Sequence, residues 1–209
     1  MRAFIYTGGT IHPENITEHP KADDLCIAAD SGYNNAKKLG ERIDLLIGDF
    51  DSIGDMPRDP ALEIRQVPAQ KDLTDTQLAL EIAVERGAEQ IIFIGGLGGR
   101  LDHAISSLCI LEDMFERGLH GYFTDGQNRA HYMKATSTLI ARSAYKYLSL
   151  IAADEVVKGV TVEGCKYPLK NAKIRRRLQF AVSNEIVGNV ALISCKKGGL
   201  FIIESRDVC

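Results

Sequence analysis

The chain has 209 residues, of which 45% are hydrophobic and 25% are charged. This composition is ordinary for a globular protein, and it excludes a disordered, collagen-like or coiled-coil chain. The formal net charge is only −3, but residues 1–125 hold 22 acidic and 11 basic residues, whereas residues 126–209 hold 6 acidic and 14 basic residues. The division predicts two domains of opposite charge.

Three further features narrow the class of protein. No apolar run approaches the ~18 residues that span a bilayer, and the first one breaks at Gly8-Gly9, too early for a secretory signal. The five cysteines are scattered and form no CxxC pair, so we expect reduced thiols in a cytoplasmic protein. The basic residues of the second half are dispersed except at Arg175-Arg176-Arg177, so we expect neither a nucleic-acid nor a membrane partner.

Short apolar runs alternate with helical patterns over the first 125 residues. Strands are predicted at Ala3–Thr7, Leu25–Ala29, Leu45–Ile47, Glu63–Val67, Gln90–Ile94 and Gly121–Thr124. Helices are predicted at Ser31–Leu39, Thr74–Arg86 and Asp102–Arg117, each followed by a glycine. The alternation predicts a mostly parallel sheet with helices on both faces, and such sheets bind ligands at the carboxyl ends of their strands.

The pattern changes after the turn at Asp125-Gly126. Short β-like runs without a long helix follow, at Tyr147–Ala152, Val156–Val162, Arg177–Val182, Val190–Cys195 and Leu200–Ile203. We therefore predict an α/β protein: an N-terminal, mostly parallel α/β/α sheet domain and a small C-terminal antiparallel β-sandwich, with a boundary near residues 126–135.

Acidic residues follow two of the predicted strands directly. Asp30 comes after Leu25–Ala29, and Asp49 and Asp51 come after Leu45–Ile47. Residues two apart in extended backbone point the same way, so Asp49 and Asp51 are expected to project together. Gly48 is expected to allow a close approach of the backbone.

Two further motifs precede predicted helices. In Lys71-Asp72-Leu73-Thr74-Asp75, the spacing places Asp72 and Asp75 on the first helical turn. The string from Gly95 to His103 carries Gly98, Gly99, Arg100 and Asp102. Its glycines can offer backbone N–H groups to phosphate, and Arg100 and Lys71 supply positive charge.

Each of these acidic residues has a structural alternative, since Asp is common as a helix cap or turn residue. Six carboxylates at one sheet edge, however, would repel each other unless a cation neutralised them. Ligation by oxygen alone favours Mg²⁺, and Mg²⁺ commonly binds together with substrate phosphates. His103 is either a titrating group near the phosphates or a residue that packs beside the glycine loop.

Five strings together resemble the bacterial thiamine pyrophosphokinases. They are Ala29-Asp30-Ser31-Gly32, Ile47-Gly48-Asp49-Phe50-Asp51-Ser52, Lys71-Asp72-Leu73-Thr74-Asp75, Gly98-Gly99-Arg100-Leu101-Asp102-His103 and Val182-Ser183-Asn184-Glu185. They occur in that family's order, and the likeness runs from about residue 25 to the C-terminus, including Lys166-Tyr167-Pro168-Leu169.

The resemblance implies a Mg²⁺-dependent transferase that moves the pyrophosphoryl group of ATP to the hydroxyl of thiamine, giving thiamine diphosphate and AMP. It implies a catalytic domain at residues 1–130 that binds ATP and magnesium. It also implies a β-sandwich at residues 131–209 that binds thiamine and forms a homodimer, with thiamine sites at the subunit interface.

The resemblance also implies roles for individual residues. Catalysis is expected from Lys71, Asp72, Arg100 and Asp102, and metal binding from Asp30, Asp49, Asp51 and Asp72. ATP binding is expected from Asp30, Asp75, Gly98, Gly99, Arg100 and His103. Thiamine binding is expected from Ser183 and Asn184, which the residues alone would place in a hairpin turn. The chain has no Trp, so any ring that stacks on thiamine belongs to a Tyr or Phe.

Two other functions remain open from the residues alone. One is a different Mg²⁺-dependent pyrophosphokinase or a nucleotide hydrolase that uses the same sheet edge. The other is a nucleotide sensor that binds a magnesium–nucleotide complex without turnover.

Overall fold

A computed structural model describes residues 1–50, 62–68, 70 and 72–207 of the chain. Three α-helices lie in the first half of the chain: α1 (Gly32–Leu39), α2 (Asp75–Glu85) and α3 (Leu101–Glu116). The strands of that half are β1 (Arg2–Tyr6), β2 (Leu25–Ala29), β3 (Leu45–Gly48), β4 (Glu63–Gln66), β5 (Gln90–Ile94) and β6 (His120–Thr124). The remaining strands are β7 (Asn128–Lys134), β8 (Ser137–Ala141), β9 (Tyr147–Ala152), β10 (Val156–Glu163), β11 (Leu169–Arg175), β12 (Val190–Ser194) and β13 (Gly199–Ser205).

Within the described residues, one sheet of nine strands runs through both halves of the chain, in the order β4-β3-β2-β1-β5-β6-β7-β13-β9. The strands from β4 to β6 are parallel, and β7, β13 and β9 continue the sheet in antiparallel pairing. Helix α1 covers one face through Ala36, and α2 and α3 cover the other through Leu80 and Ile110. The predicted α/β/α arrangement is confirmed.

The other sheet has the order β11-β10-β12-β8 and is antiparallel in the part of the chain that the structure describes. Its inner side chains, such as Val157 and Ile193, share a core with Leu148 of β9 and with Leu200 and Ile202 of β13. The antiparallel third of the long sheet is therefore one layer of the predicted sandwich. None of the helices in the described ranges is long and apolar enough to cross a membrane.

The sequence pattern predicts the first half closely. Each helix lies within one residue of its predicted bounds, and α2 begins at a capping box in which Thr74 and Gln77 bond each other's backbone N–H groups. Helix α1 ends at Gly40, whose φ of 69° is the left-handed conformation that glycine adopts readily.

The pattern is less reliable in the second half. The strand predicted at Arg177–Val182 is wrong, since this segment is irregular and follows the edge of β9, where Leu150 N–H donates to the carbonyl of Ala181 (2.7 Å). Its alternating apolar residues, Leu178, Phe180 and Val182, are 60%, 48% and 44% exposed rather than half-buried in a sheet. Strands β7, β8 and β11 were not predicted, because their polar residues outnumber the apolar ones or interrupt the alternation.

A buried charged cluster lies where the parallel and antiparallel parts of the long sheet meet. Arg129 of β7 pairs with Glu18, and its Nη1 lies 3.7 Å from Glu204 Oε2 of β13. Its guanidinium also stacks over Tyr122 and Tyr145, at 5.2 and 4.8 Å from the ring centroids. Burial alone would raise the pKa of Glu18, but the charge of Arg129 and hydrogen bonds from Thr17 lower it overall. Arg129 thus neutralises two carboxylates that lie far apart in sequence.

We predict that Arg129→Met destabilises the protein by about 3–5 kcal/mol, because it leaves Glu18 buried without its cation and leaves Glu204 with His131 as its remaining basic partner among the described residues. Arg117→Met is the matched control, since Arg117 also pairs with two acids, Glu81 and Asp113, but at the surface, and should cost less than about 1 kcal/mol. Urea unfolding at neutral pH measures both changes. Equal losses in the two variants would contradict the role given to Arg129.

Candidate active site

Two adjoining cavities open at the carboxyl edge of the parallel strands. The first, here called the glycine-loop cavity, has a volume of about 340 Å³ and is lined by Thr7, Gly8, Gly9, Gly96, Gly98, Arg100 and Ser107. The second, the acidic cavity, has a volume of about 350 Å³ and is lined by Asp30, Asp49, Asp72 and Asp75. Both are also lined by Gly8, Asp30, Ser31, Thr76 and His103, so together they form one cleft, the acidic cleft.

Asp30 lies at the centre of this cleft, where β2 ends. Its φ of 47° is left-handed, a conformation that Asp tolerates better than most residues, and the chain turns sharply there toward α1. A Cβ on Gly48 would lie 3.1 Å from both Cα and Cβ of Asp30, so the prediction that Gly48 permits a close approach is confirmed. The Asp30 Oδ1 atom is buried, and no described residue hydrogen-bonds to it.

Asp49 follows β3 and lines the acidic cavity beside Asp30. The next residue, Phe50, has a φ of 69° and packs against the core on the α1 side. The backbone is therefore not extended at Phe50, so the argument that places Asp49 and Asp51 on one side does not apply. Asp51 itself lies outside the described residues, as does Lys71.

Asp72 and Asp75 line the acidic cavity from the segment that leads into α2. Thr74 is the N-cap, so Asp75 is the first helical residue. Asp72 lies two residues before the cap, so the prediction that its spacing places it on the first helical turn is wrong. The two carboxylates still line the same cavity because the chain before the helix also faces the cleft.

Two glycine turns form the other side of the cleft, packed backbone against backbone. The turn after β1 contains Gly8 and Gly9, and the turn after β5 contains Gly96 and Gly98. Gly96 N–H donates to the carbonyl of Gly8 (2.9 Å). A Cβ on Gly9 would lie 2.3 Å from the carbonyl oxygen of Gly98, so no larger residue fits without moving a turn.

Arg100 lines the glycine-loop cavity at the N-cap of α3. Its side chain is 75% exposed and bonds Asp102 through Nη2–Oδ2 (2.6 Å) and Nε–Oδ1 (3.2 Å). This hydrogen-bonded pair raises the pKa of Arg100 and lowers that of Asp102. Asp102 and Gly99 line neither cavity, whereas His103 lines both.

Four polar residues that line the cleft were not predicted as site residues: Thr7, Ser31, Thr76 and Ser107. Ser31 lies within a motif, Thr7 precedes the Gly8-Gly9 turn and Thr76 follows Asp75, and these positions were the available signal. Ser107 had no such signal. It lies one helical turn after His103, inside a predicted helix, where the sequence pattern says nothing about a ligand.

The donor set of the acidic cavity suits a hard cation. Among the described residues, no three His, Cys, Asp or Glu side chains converge closely enough to hold a metal ion alone. Mg²⁺ does not require such a group, since it commonly uses one or two carboxylates and completes its shell with water and phosphate oxygens. The buried, unpartnered Oδ1 of Asp30, in a cavity with three other carboxylates, fits this mode of binding.

Ser183 and Asn184 lie in the sandwich rather than on this sheet edge. Asn184 lines a separate cavity of about 240 Å³, with mostly apolar walls that include Leu148, Leu150, Tyr167, Leu169 and Phe180. The Asn184 Oδ1 atom accepts the backbone N–H of Tyr167 (3.0 Å), and Nδ2 donates to the carbonyl of Tyr167 (2.8 Å). Ser183 has a φ of 55° and donates its backbone N–H to Ser149 Oγ (2.9 Å).

Comparisons with known proteins agree on one family. A family model described as "Thiamin pyrophosphokinase, catalytic domain" matches residues 17–123, and one described as "Thiamin pyrophosphokinase, vitamin B1 binding domain" matches residues 136–200. The chain is 31% identical over 200 residues to the thiamine pyrophosphokinase of Bacillus subtilis, which covers 92% of each chain.

Solved structures give the same result. A crystal structure of thiamine pyrophosphokinase from Bacillus subtilis matches with a TM-score of 0.89 at 29% identity and covers 100% of both chains. One of thiamin pyrophosphokinase from Geobacillus thermodenitrificans matches with a TM-score of 0.84 at 30% identity, covering 99% of this chain and 98% of that one.

We predict that Mg²⁺ or Mn²⁺ raises the melting temperature of the protein and that Asp30→Asn removes this rise, because the amide carries no charge to attract the cation. Asp23→Asn, an exposed change just before β2, is the matched control and should keep the rise. Differential scanning fluorimetry with and without the cation measures it. An unchanged cation response in a folded Asp30→Asn variant would remove Asp30 from the proposed metal site.

Proposed function

The chain belongs to the thiamin pyrophosphokinase family, and we propose that its acidic cleft is where it transfers the pyrophosphoryl group of ATP to thiamine. The protein is thus an ATP-dependent thiamine diphosphokinase that releases AMP. The observation that supports this place for the chemistry is the union of four carboxylates with two glycine turns in one cleft.

In the reaction, the hydroxyl oxygen of thiamine attacks the β-phosphorus of ATP. A new oxygen–phosphorus bond forms, the bond from the β-phosphorus to the oxygen bridging it to the α-phosphate breaks, and AMP leaves. We assign the phosphates to the glycine-loop cavity, where Gly8 and Gly98 allow close approach and Arg100 supplies positive charge. Lys71 has the same assignment from its motif. Positioning and electrostatics supply most of the acceleration in such transfers.

We propose Mg²⁺ as the cation, held by Asp30, Asp49 and Asp72, with Asp51 as a further ligand from its motif. When bound, Mg²⁺ neutralises phosphate charge and orients the chain of phosphates. Asp75 and His103 line the cavity close to these carboxylates, and we assign them to the nucleotide. The proton of the thiamine hydroxyl needs an acceptor. We assign this role to Asp72, through the carboxylate oxygen that does not hold the cation, because Asp72 lines the acidic cavity whereas Asp102 lines neither cavity and is paired with Arg100.

We propose the 240 Å³ cavity of the sandwich as the binding site for the rings of thiamine. It lies within residues 136–200, it has an apolar lining, and two exposed aromatic side chains border it, Tyr167 and Phe180. These rings can pack against a pyrimidine or a thiazolium. Because Asn184 uses its carbonyl oxygen and one N–H on the backbone of Tyr167, we assign it chiefly to holding Tyr167 in place.

We also propose a homodimer. The irregular segment along β9 exposes Leu178, Phe180 and Val182, at the sheet edge opposite β4. A second copy that covers these side chains would remove a contiguous apolar surface from water. A thiamine site between subunits further requires that the dimer place the sandwich of one subunit near the cleft of the other.

The domain division proposed from the sequence, residues 1–130 and 131–209, places ATP in the first unit and thiamine in the second. The two family models match on either side of that boundary, at residues 17–123 and 136–200. We propose a cytoplasmic location, where ATP is abundant. It is supported by the free thiols of the described cysteines, Cys26, Cys109, Cys165 and Cys195.

The proposed function predicts AMP release that requires both thiamine and Mg²⁺. Chromatography of the nucleotide products, with each component omitted in turn, measures this. AMP or ADP that forms without thiamine would indicate a nucleotide hydrolase, and AMP that forms only with another acceptor would indicate a different pyrophosphokinase. Nucleotide binding without any turnover would indicate a sensor. Each of these three results contradicts the proposal.

We predict that Asn184→Ala raises the KM for thiamine about tenfold and changes kcat less, because it removes the two hydrogen bonds that hold the backbone of Tyr167. Asn189→Ala, an exposed change in the same loop, is the control and should leave both constants unchanged. Steady-state kinetics at saturating ATP measures them. A normal thiamine KM in Asn184→Ala would exclude Asn184 from the thiamine site.

A further inference from the structure

Two buried polar side chains donate hydrogen bonds to backbone carbonyls of the glycine turns in the acidic cleft. Asn35 of α1 is 3% exposed, and its Nδ2 donates to the carbonyls of Thr7 (2.8 Å) and Gly9 (3.0 Å). Ser107 of α3 is 5% exposed, and its hydroxyl has two acceptors within reach, the carbonyl of Gly96 at 2.8 Å and, one helical turn back, the carbonyl of His103 at 3.0 Å. The contact to Gly96 is the shorter one. The two helices lie on opposite faces of the sheet, so the pair of turns is held from both sides.

A buried Asn is costly unless its polar atoms are bonded. Asn35 lies beside Ala36, which is fully buried and apolar, so its polar atoms are removed from solvent together with the helix core. Both N–H groups of Asn35 reach the carbonyls at the two ends of one turn. The side chain is therefore placed to fix the turn between Thr7 and Gly9 rather than to stabilise α1.

The direction of these carbonyls determines the direction of backbone N–H groups. A peptide unit is planar and trans, so its N–H points opposite to its C=O. With the carbonyl of Thr7 turned toward Asn35, the N–H of Gly8 points away from Asn35, and the same holds for Gly9 and the N–H of Thr10. Gly8 lines both cavities of the cleft. Phosphate oxygens are bound well by such fixed backbone N–H groups.

We propose that Asn35 and Ser107 are positioning residues for nucleotide binding, which fix the two glycine turns in the conformation that receives the phosphates. The inference rests on the proposed function, because it takes the cleft to be the nucleotide site. Asn35 lines neither cavity and acts only through the turn, whereas Ser107 also lines the glycine-loop cavity. The turns are ordered before the phosphates bind, so the binding free energy is not reduced by the cost of ordering the turns.

The test measures binding of the magnesium complex of α,β-methylene ATP, an analogue that cannot release AMP, by isothermal titration calorimetry. We expect Asn35→Ala and Ser107→Ala each to raise its Kd about tenfold, from the loss of buried hydrogen bonds to the turns. We also expect the KM for thiamine to stay unchanged. Ile92→Val is the control: Ile92 lies in the same buried cluster as Ala36, and the change loosens packing without touching a turn.

An unchanged Kd in a folded Asn35→Ala or Ser107→Ala variant would overturn the proposal for that residue, as would an equal rise in Ile92→Val. Circular dichroism establishes which variants fold. If Asn35→Ala does not fold, Ser107→Ala decides the matter, since it removes only a hydroxyl. The assay needs no turnover. A wild-type protein that binds the analogue but releases no AMP from ATP in the presence of thiamine would contradict the proposed function and leave this inference standing.

Discussion

The repulsion among four carboxylates that share the acidic cavity is the constraint on which the rest of the cleft depends. Parallel strands end at the same edge of a sheet, so Asp30 and Asp49 reach one cavity. Asp72 joins them from the segment before α2, and Asp75 from the first position of that helix. Like charges that share a cavity repel each other, so a cation or a positive side chain nearby stabilises the set. The proposed metal ion would supply that charge, and a ligand rich in oxygen would complete its shell.

The same edge of the sheet also leaves the backbone open to the close approach of a polyphosphate. The turns after β1 and β5 pack so closely that a Cβ on Gly9 would meet the carbonyl of Gly98 at 2.3 Å. Acidic residues and bare backbone thus lie side by side, one suited to a cation and the other to phosphate. The long sheet continues through β7 into the sandwich. At β7, Arg129 neutralises acidic residues from both halves of the chain, Glu18 and Glu204.

Periodicity and local motifs were enough to predict the helices and the strands of the parallel sheet, and the carboxyl-edge rule then placed Asp30 and Asp49 together. Prediction failed where the environment of a residue depends on distant partners. The alternation at Leu178, Phe180 and Val182 was interpreted as a half-buried strand, yet these side chains are exposed along the edge of β9. Asn35 was missed because a single Asn in a helical pattern is usually solvent-facing, and only the fold shows it bonded to the turn at Gly9.

The position of the nucleotide is the central claim, and a crystal structure with Mn²⁺, α,β-methylene ATP and thiamine tests it most directly. We predict an anomalous Mn²⁺ peak in the acidic cavity next to Asp30, with the phosphates against the turns at Gly8 and Gly98. A nucleotide and metal bound outside the acidic cleft would contradict this position. One such place is the cavity of about 400 Å³ at the opposite end of β5 and β6, near Gln90 and His120.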